Sequence, residues 1–412
     1  MSQVVFQQTF PNGLTLLAER MEHVRSAAIN ILIPAGCVYD PPERLGLASI
    51  LSDIVTRGAG RRDSRELTLA LDSLGLDRSE SVGQMHMRFY AATLARNLPD
   101  AIELYADILR RPHLPDDELE AVKSLAEQDI QGLEDEPRQK VLIELRKRHY
   151  PRPLSNDRRG SLESVTAVAI EDLRGFYAAR FRPTGTIVSV AGNIDWEPLR
   201  DQIGRLFGDW QGSAAELRVP EPSMSGTGHI PKETQQTQIA LAYRSAPFAS
   251  SDYYTAMGAV SVLSGGMSSR LFTEIREKEG LCYAVWATYQ TFRDRASIIA
   301  YAGTKTDRAQ ETLDRLVHEL RRLREGIGED EVDRAKAGLK SSLIMQEEST
   351  SARAGSLASD WYYLNRVRGL DEVKSAIDGL SPGTILDYVQ RYPAQDLCTV
   401  TLGAKPLDFS KV

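Results

Sequence analysis

Ser49, Ser52, Asp53 and Thr56 recur at the three-and-four spacing that places side chains on one face of a helix. Leu47, Ile50, Leu51 and Ile54 share the opposite face. The stretch from Gly46 to Gly58 is therefore expected to be a helix with a core behind it and a cavity in front. A carboxylate among hydroxyls can make hydrogen bonds in such a cavity. No histidine falls in the same frame, so Ser49, Ser52 and Asp53 are not expected to form a catalytic site of their own. Further along, Arg276 and Tyr283 stand seven residues apart on either side of Gly280. A guanidinium and a phenol can both donate hydrogen bonds to a carbonyl and to the charge that develops on its oxygen during addition. Taken alone, Arg276-Glu277-Lys278-Glu279 reads as a solvated helix end and Tyr283 as a core residue. The histidines, His23, His86, His113, His149, His229 and His318, are scattered with none three or four residues from another, so no ligand pair is predicted. His86, on an expected strand near the cavity, is the one to watch.

The elements that must hold these groups follow from periodicity. Val4–Phe10 and Leu14–Glu19 flank Pro11-Asn12-Gly13, the signal of a hairpin turn, and Ala27–Ile33 is a third strand. Ser64 is expected to cap a helix that ends at Gly75, and strands follow over 79–83 and 86–93. Amphipathic helices are predicted over 97–110, 116–134, 139–149 and 170–181, then a strand over 186–191 and a helix over 196–207. Residues 212–228 are rich in Ser, Ala, Pro and Gly and read as a linker. After it come a strand at 238–243, helices at 253–263 and 268–279, and strands at 282–291 and 298–302. Long helices over 306–325, 330–348 and 351–366 lead to a helix at 386–392 and a last strand at 398–402.

This order repeats. Gly75-Leu76 corresponds to Gly280-Leu281, 205 residues later, and the strand ending at Gly192 to that ending at Gly403, 211 residues later. An offset near half the chain predicts two copies of one α+β unit, over 1–211 and 229–412. Strands and helices are interleaved without strict alternation, which favours α+β over a doubly wound parallel sheet.

With 412 residues the chain is too long for one core. A formal net charge of −7 without a basic block argues against nucleic acid as a partner. No window has the length of apolar residues a membrane span requires, and no leader is visible at Met1–Phe10. Three widely spaced cysteines, Cys37, Cys282 and Cys398, fit a reducing compartment, so a cytoplasmic location is expected.

The frame Gly46-Leu-Ala-Ser-Ile-Leu-Ser-Asp53, with Arg57-Gly58 after it, resembles the inverted zincin helix of the pitrilysin-like (M16) metallopeptidases, Gly-Leu-Ala-His-x-x-Glu-His followed by Lys/Arg-Gly. The likeness extends through Pro11-Asn-Gly-Leu14, Ile33-Pro-Ala-Gly36, Ser189-Val-Ala-Gly-Asn193 and the long run from Gly265 to Tyr283. It implies two such α/β sandwich domains, forming half of a clamshell around a chamber. Ser49 and Asp53 then stand where two zinc-binding histidines would be, and Ser52 stands in place of the general base. The third ligand, a glutamate in a Glu-Leu-x-x-Glu-Lys context, maps by Glu118-Leu119 and Lys123 onto Val122. The same resemblance makes Arg276 and Tyr283 a pair that faces the zinc site across the chamber.

What this implies is a non-catalytic subunit that binds no metal. It would lend Arg276 and Tyr283 to zinc held by a partner homologue carrying His-x-x-Glu-His, with peptides as substrates. Alone, such a chain could also form a homodimer. The competing expectation is a catalytically inactive peptide-binding or structural scaffold, which has no need of the Arg/Tyr pair.

Overall fold

The computed structural model describes residues 3–215, 217, 219 and 226–410. Part of the expected linker, residues 216, 218 and 220–225, lies outside them. Two compact units form, each mixing α and β. Unit 1 contains residues 1–132, 152–220 and 346–367; unit 2 contains 133–151, 221–345 and 368–412.

The strands of unit 1 are β1 (Val4–Thr9), β2 (Thr15–Arg20), β3 (Ser26–Ile33), β4 (Asp77–Val82), β5 (Met87–Leu94) and β6 (Ile187–Gly192). They form one sheet in the order β1-β2-β6-β3-β5-β4. The β1–β2 hairpin turns on Gly13, whose φ of +88° only glycine adopts easily. One face of the sheet carries α1 (Leu47–Ile54), α2 (Ser64–Ser73), α3 (Leu98–Arg110), α4 (Leu119–Gly132), α6 (Leu162–Thr166), α7 (Ile170–Arg180) and α8 (Trp196–Phe207), over the larger core.

In unit 2, β7 (Thr227–Pro231), β8 (Gln236–Ser245), β9 (Cys282–Thr291), β10 (Ala296–Lys305) and β11 (Cys398–Gly403) form a sheet in the order β7-β11-β8-β10-β9. Its main helical layer includes α9 (Tyr253–Ser264), α10 (Ala309–Arg322), α11 (Glu329–Glu347), α13 (Leu370–Asp378) and α14 (Pro382–Arg391).

The pairing repeats strand for strand. β2 runs parallel to β6, which is followed by three antiparallel steps to β4; β7 runs parallel to β11, which is followed by three antiparallel steps to β9. Gly75 and Gly280 both hold φ +60° just before β4 and β9. Two copies of one α+β plan are therefore present, with β1 added to the first.

The sequence division keeps 137–149 with the first half and 350–364 with the second. In the fold, α5 (Pro137–His149) lies in unit 2 and α12 (Thr350–Leu364) in unit 1. Val141 and Leu145 of α5 pack on Ala240, Ala242, Val400 and Leu402 of the second sheet. Leu357 and Ala358 of α12 pack on Leu17 and Ile187 of the first, and Ala354 on Ala28 and Ala191. Arg353 of α12 reaches Glu19 of β2 at 2.7 and 3.0 Å, with both side chains almost wholly buried. Each sheet thus has a second apolar face, covered by one long helix that sequence order assigns to the other half.

Several expectations change in detail. Asp63 rather than Ser64 caps α2, in a reciprocal box with Glu66. His86 sits in the β4–β5 turn instead of a strand and meets the Tyr362 ring edge-on at 4.4 Å. Strand β7 and helix α13 were not foreseen, because Thr227–Pro231 lacks a strand-like apolar pattern and α13 offers only a few apolar side chains to the core.

Candidate functional site

Helix α1 forms with the expected amphipathy: Leu47, Ile50, Leu51 and Ile54 are buried, and Ser49, Ser52, Asp53 and Thr56 are half-buried on the other face. A buried carboxylate fixes its start. Asp40 accepts hydrogen bonds from the Gly46 and Ala48 amides at 2.8 and 2.9 Å, and burial raises its pKa to about 7 despite those two bonds.

The polar face of α1 lines a cleft of about 620 Å³ within unit 1, together with Glu80 and Val82 of β4, Val122 and Leu125 of α4, and Arg158 and Arg159. The four positions Ser49, Ser52, Asp53 and Val122 thus converge on one cavity. Their chemistry is already engaged. Ser49 Oγ donates to the Arg158 carbonyl at 2.6 Å, and Ser52 Oγ to the Ser49 carbonyl at 2.9 Å. Asp53 Oδ1 accepts from Arg57 Nε and Nη2 at 3.2 and 3.0 Å, while Arg57 also binds Glu118. Val122 presents an alkyl group that is 2 % exposed.

Zinc takes about four nitrogen, sulfur or ionised oxygen donors. Two hydroxyls bonded to carbonyls, a carboxylate paired with a guanidinium and a valine do not fit it. Among the described residues, no group of three or more His, Cys, Asp or Glu could hold a metal ion. Glu80 is the group in this cleft that sequence reading missed. One of its oxygens is buried without a hydrogen-bond partner, and burial, with Asp53 as a lesser neighbour, raises its carboxyl. Its signal was the two-residue alternation of β4, which turns Arg78, Glu80 and Val82 inward.

Arg276 and Tyr283 lie in unit 2, around the Gly280 turn. The expected helix over 268–279 includes a π-helical segment, Phe272–Lys278, a rare winding that concentrates at functional sites. Tertiary contacts hold it. Arg270 grips Glu331 through two hydrogen bonds of 2.6 and 2.7 Å, Arg322 approaches Glu274 at 3.6 Å, and Arg315 binds Glu279 at 2.8 Å. Arg276 leaves this segment exposed, its guanidinium 4.8 Å from the centre of the Phe272 ring. It has no acidic partner among the described residues.

Tyr283 is 68 % exposed, not a core residue. Cys282 pairs with Thr304 and Ala284 with Gly303, so Tyr283 is the extra residue of a β-bulge at the start of edge strand β9. Val285, Ala287 and Tyr289 face the main helical layer. Strict alternation from them would send Tyr283 into that core; the bulge puts Cys282 there instead and turns Tyr283 outward. Burial pushes the Cys282 thiol up to about 11, and the positive charge of Arg276 works against that rise.

Comparison with known proteins agrees with this architecture. The family described as insulinase (peptidase family M16) matches residues 15–159, and the M16 inactive domain matches residues 167–339. An uncharacterized zinc protease of Rickettsia felis is 25% identical over 399 residues, 96% of this chain and 97% of its own length. Another from Bacillus subtilis is 26% identical over 382 residues, 92% of this chain and 93% of its own length. An M16 inactive-domain protein of Pseudomonas fluorescens superposes with a TM-score of 0.91 over 98% of this chain and 99% of its own, at 19% identity. A protease of Helicobacter pylori gives 0.86 over 98% of this chain and 100% of its own, at 21% identity. Those two likenesses speak for the fold alone. With family matches in both halves of the sequence, this chain belongs to the M16 peptidase family.

Proposed function

We propose that the chain is the non-catalytic subunit of a two-chain zinc peptidase, one half of a clamshell whose partner is an M16 homologue with the His-x-x-Glu-His motif. The observation that supports this reading is the β-bulge, which turns a tyrosine out of a core position across the Gly280 turn from an exposed arginine that has no acidic partner among the described residues. A scaffold gains nothing from exposing such a pair. Hydrolytic chemistry belongs to the partner, which holds the zinc. This chain's part is to bind a peptide strand, with the Tyr283 hydroxyl donating to the scissile carbonyl oxygen as charge develops there and Arg276 holding the adjacent substrate carbonyl.

The test is kinetic, on the complex co-purified with such a homologue. Tyr283→Phe and Arg276→Ala should assemble normally and lower kcat by about a hundred- to a thousand-fold, with a smaller change in KM. Ser52→Ala, whose hydroxyl only bonds the carbonyl three residues back, should leave turnover unchanged. Full turnover in an assembled Tyr283→Phe complex would instead establish the scaffold reading. Metal analysis of the chain purified alone should find no stoichiometric zinc, and one tightly held zinc per chain would overturn the assignment of the metal to the partner.

A further inference from the structure

A second cavity, of about 320 Å³, lies wholly within unit 2 between α5 and strands β8, β9 and β10. Leu142 and Leu145 of the helix and Ala242, Ile299 and Trp286 of the sheet make its walls largely apolar. Its polar groups are few, and three of them lack partners. Arg146 lines the cavity without an ion pair to any described residue, and its Nε is buried with no hydrogen bond. The indole Nε1 of Trp286 and the amide Oε1 of Gln290 are also buried and unsatisfied. His149, on the same wall, is uncharged: it lies 2.7 Å from Ser297 Oγ, and burial lowers its pKa to about 4. Among the described residues, Arg146 is therefore the single charge in the lining.

Those features define the complementary ligand. Arg146 gives this largely apolar pocket one positive charge without a counter-ion, so the complementary ligand carries negative charge. With one guanidinium and an unpaired oxygen acceptor nearby, a monoanion suits the cavity better than a dianion such as phosphate. The planar fork of arginine matches a carboxylate. The hydrocarbon walls require an apolar body, and Gln290 Oε1 requires a hydrogen-bond donor on the same molecule.

We propose that this cavity binds the C-terminal residue of a peptide. The terminal carboxylate pairs with Arg146, a bulky apolar side chain packs against Leu142, Leu145 and Ile299, and the residue's amide N–H donates to Gln290 Oε1. The site belongs to this chain alone and does not depend on any role of Arg276 or Tyr283.

Isothermal titration of the purified chain tests it with three probes: N-acetylphenylalanine, its C-terminal amide and 3-phenylpropionate. The acylated acid should bind saturably with one site per chain. The amide, which lacks the charge, should bind at least about tenfold more weakly. 3-Phenylpropionate, which keeps the charge and loses the N–H donor, should fall between them. Arg146→Gln should weaken the acylated acid at least about tenfold with circular dichroism unchanged, and Gln290→Leu should remove its advantage over 3-phenylpropionate. Should Arg146→Gln fail to fold, the comparison of acid with amide on the unaltered chain still decides. Equal binding of acid and amide, or no saturable binding at millimolar probe, overturns the proposal; equal binding of the acylated acid and 3-phenylpropionate overturns the assignment to a peptide end.

Discussion

Asp40 is buried at the start of α1, and its pKa of about 7 lies above the value near 4 of an unfolded aspartate. The native state therefore holds that proton more tightly. The stability this group contributes is complete below about pH 4 and is lost as the pH rises through 7. Asp40→Asn carries no charge and keeps an acceptor for one of the Gly46 and Ala48 amides, which bond different oxygens of Asp40. The lost bond lowers stability at every pH and leaves the slope as the readout. Denaturation of this variant between pH 4 and 7 should lack a pH-dependent loss on the order of 1 kcal/mol per unit that the natural chain shows. An identical slope in both proteins would remove Asp40 as its source.

At the scale of elements, α12 is held on its sheet by an ion pair that is nearly dry. The Arg353 and Glu19 side chains are 5% and 7% exposed. Arg353→Met leaves Glu19 buried and unpaired, so it should cost about 3–5 kcal/mol in chemical denaturation. Adding Glu19→Gln should recover much of that loss, because the pair as a whole brings little net stability once desolvation is counted. No recovery would mean that the arginine stem, not its charge, holds the helix.

What the sequence disclosed about these elements depended on how local the cause was. The face of α1 was legible because its periodicity and its burial lie in the same eight residues. Ser49, Ser52, Asp53 and Val122 were placed through the family frame, and they do meet at one cleft. Arg158, which shares that cleft, carries no spacing signal, whereas Glu80 lies on the inward face marked by the alternation of β4 but gives no sign of which cleft it enters. The exposure of Tyr283 follows from a register shift against β10, which a single strand cannot reveal. The destinations of α5 and α12 were equally hidden, since an apolar stripe does not say which sheet it will cover.

For the whole molecule, the two units share a sensitivity to acid. His86 in unit 1 and His149 in unit 2 are each lowered to about 4 by burial, whereas an unfolded histidine titrates near 6.5. Between those values the unfolded chain takes up protons that the native chain refuses. Their contribution is thus present above about pH 6.5 and is lost as the pH falls toward 4, by up to roughly 3 kcal/mol each. His86→Phe, which retains an aromatic ring against Tyr362, together with His149→Gln, which retains a partner for Ser297, should flatten the acid limb of the stability curve. An acid limb of undiminished steepness in the double variant would locate the effect elsewhere.

The assignment of α5 and α12 to opposite units also governs what happens on the ribosome. When β6 has emerged, the first sheet has every strand it will contain, yet Leu17, Ala28, Ile187 and Ala191 still lack the helix that shields them. That helix is translated more than 150 residues later, roughly 10–30 s at ordinary elongation rates. During that interval the nascent chain displays one greasy sheet face and, in α5, one greasy helix whose own sheet does not yet exist. A chain stopped at residue 211 is frozen in that state, so the first sequence repeat is a poor unit to express alone, and a chaperone that shields nascent apolar surface has a defined period in which to act.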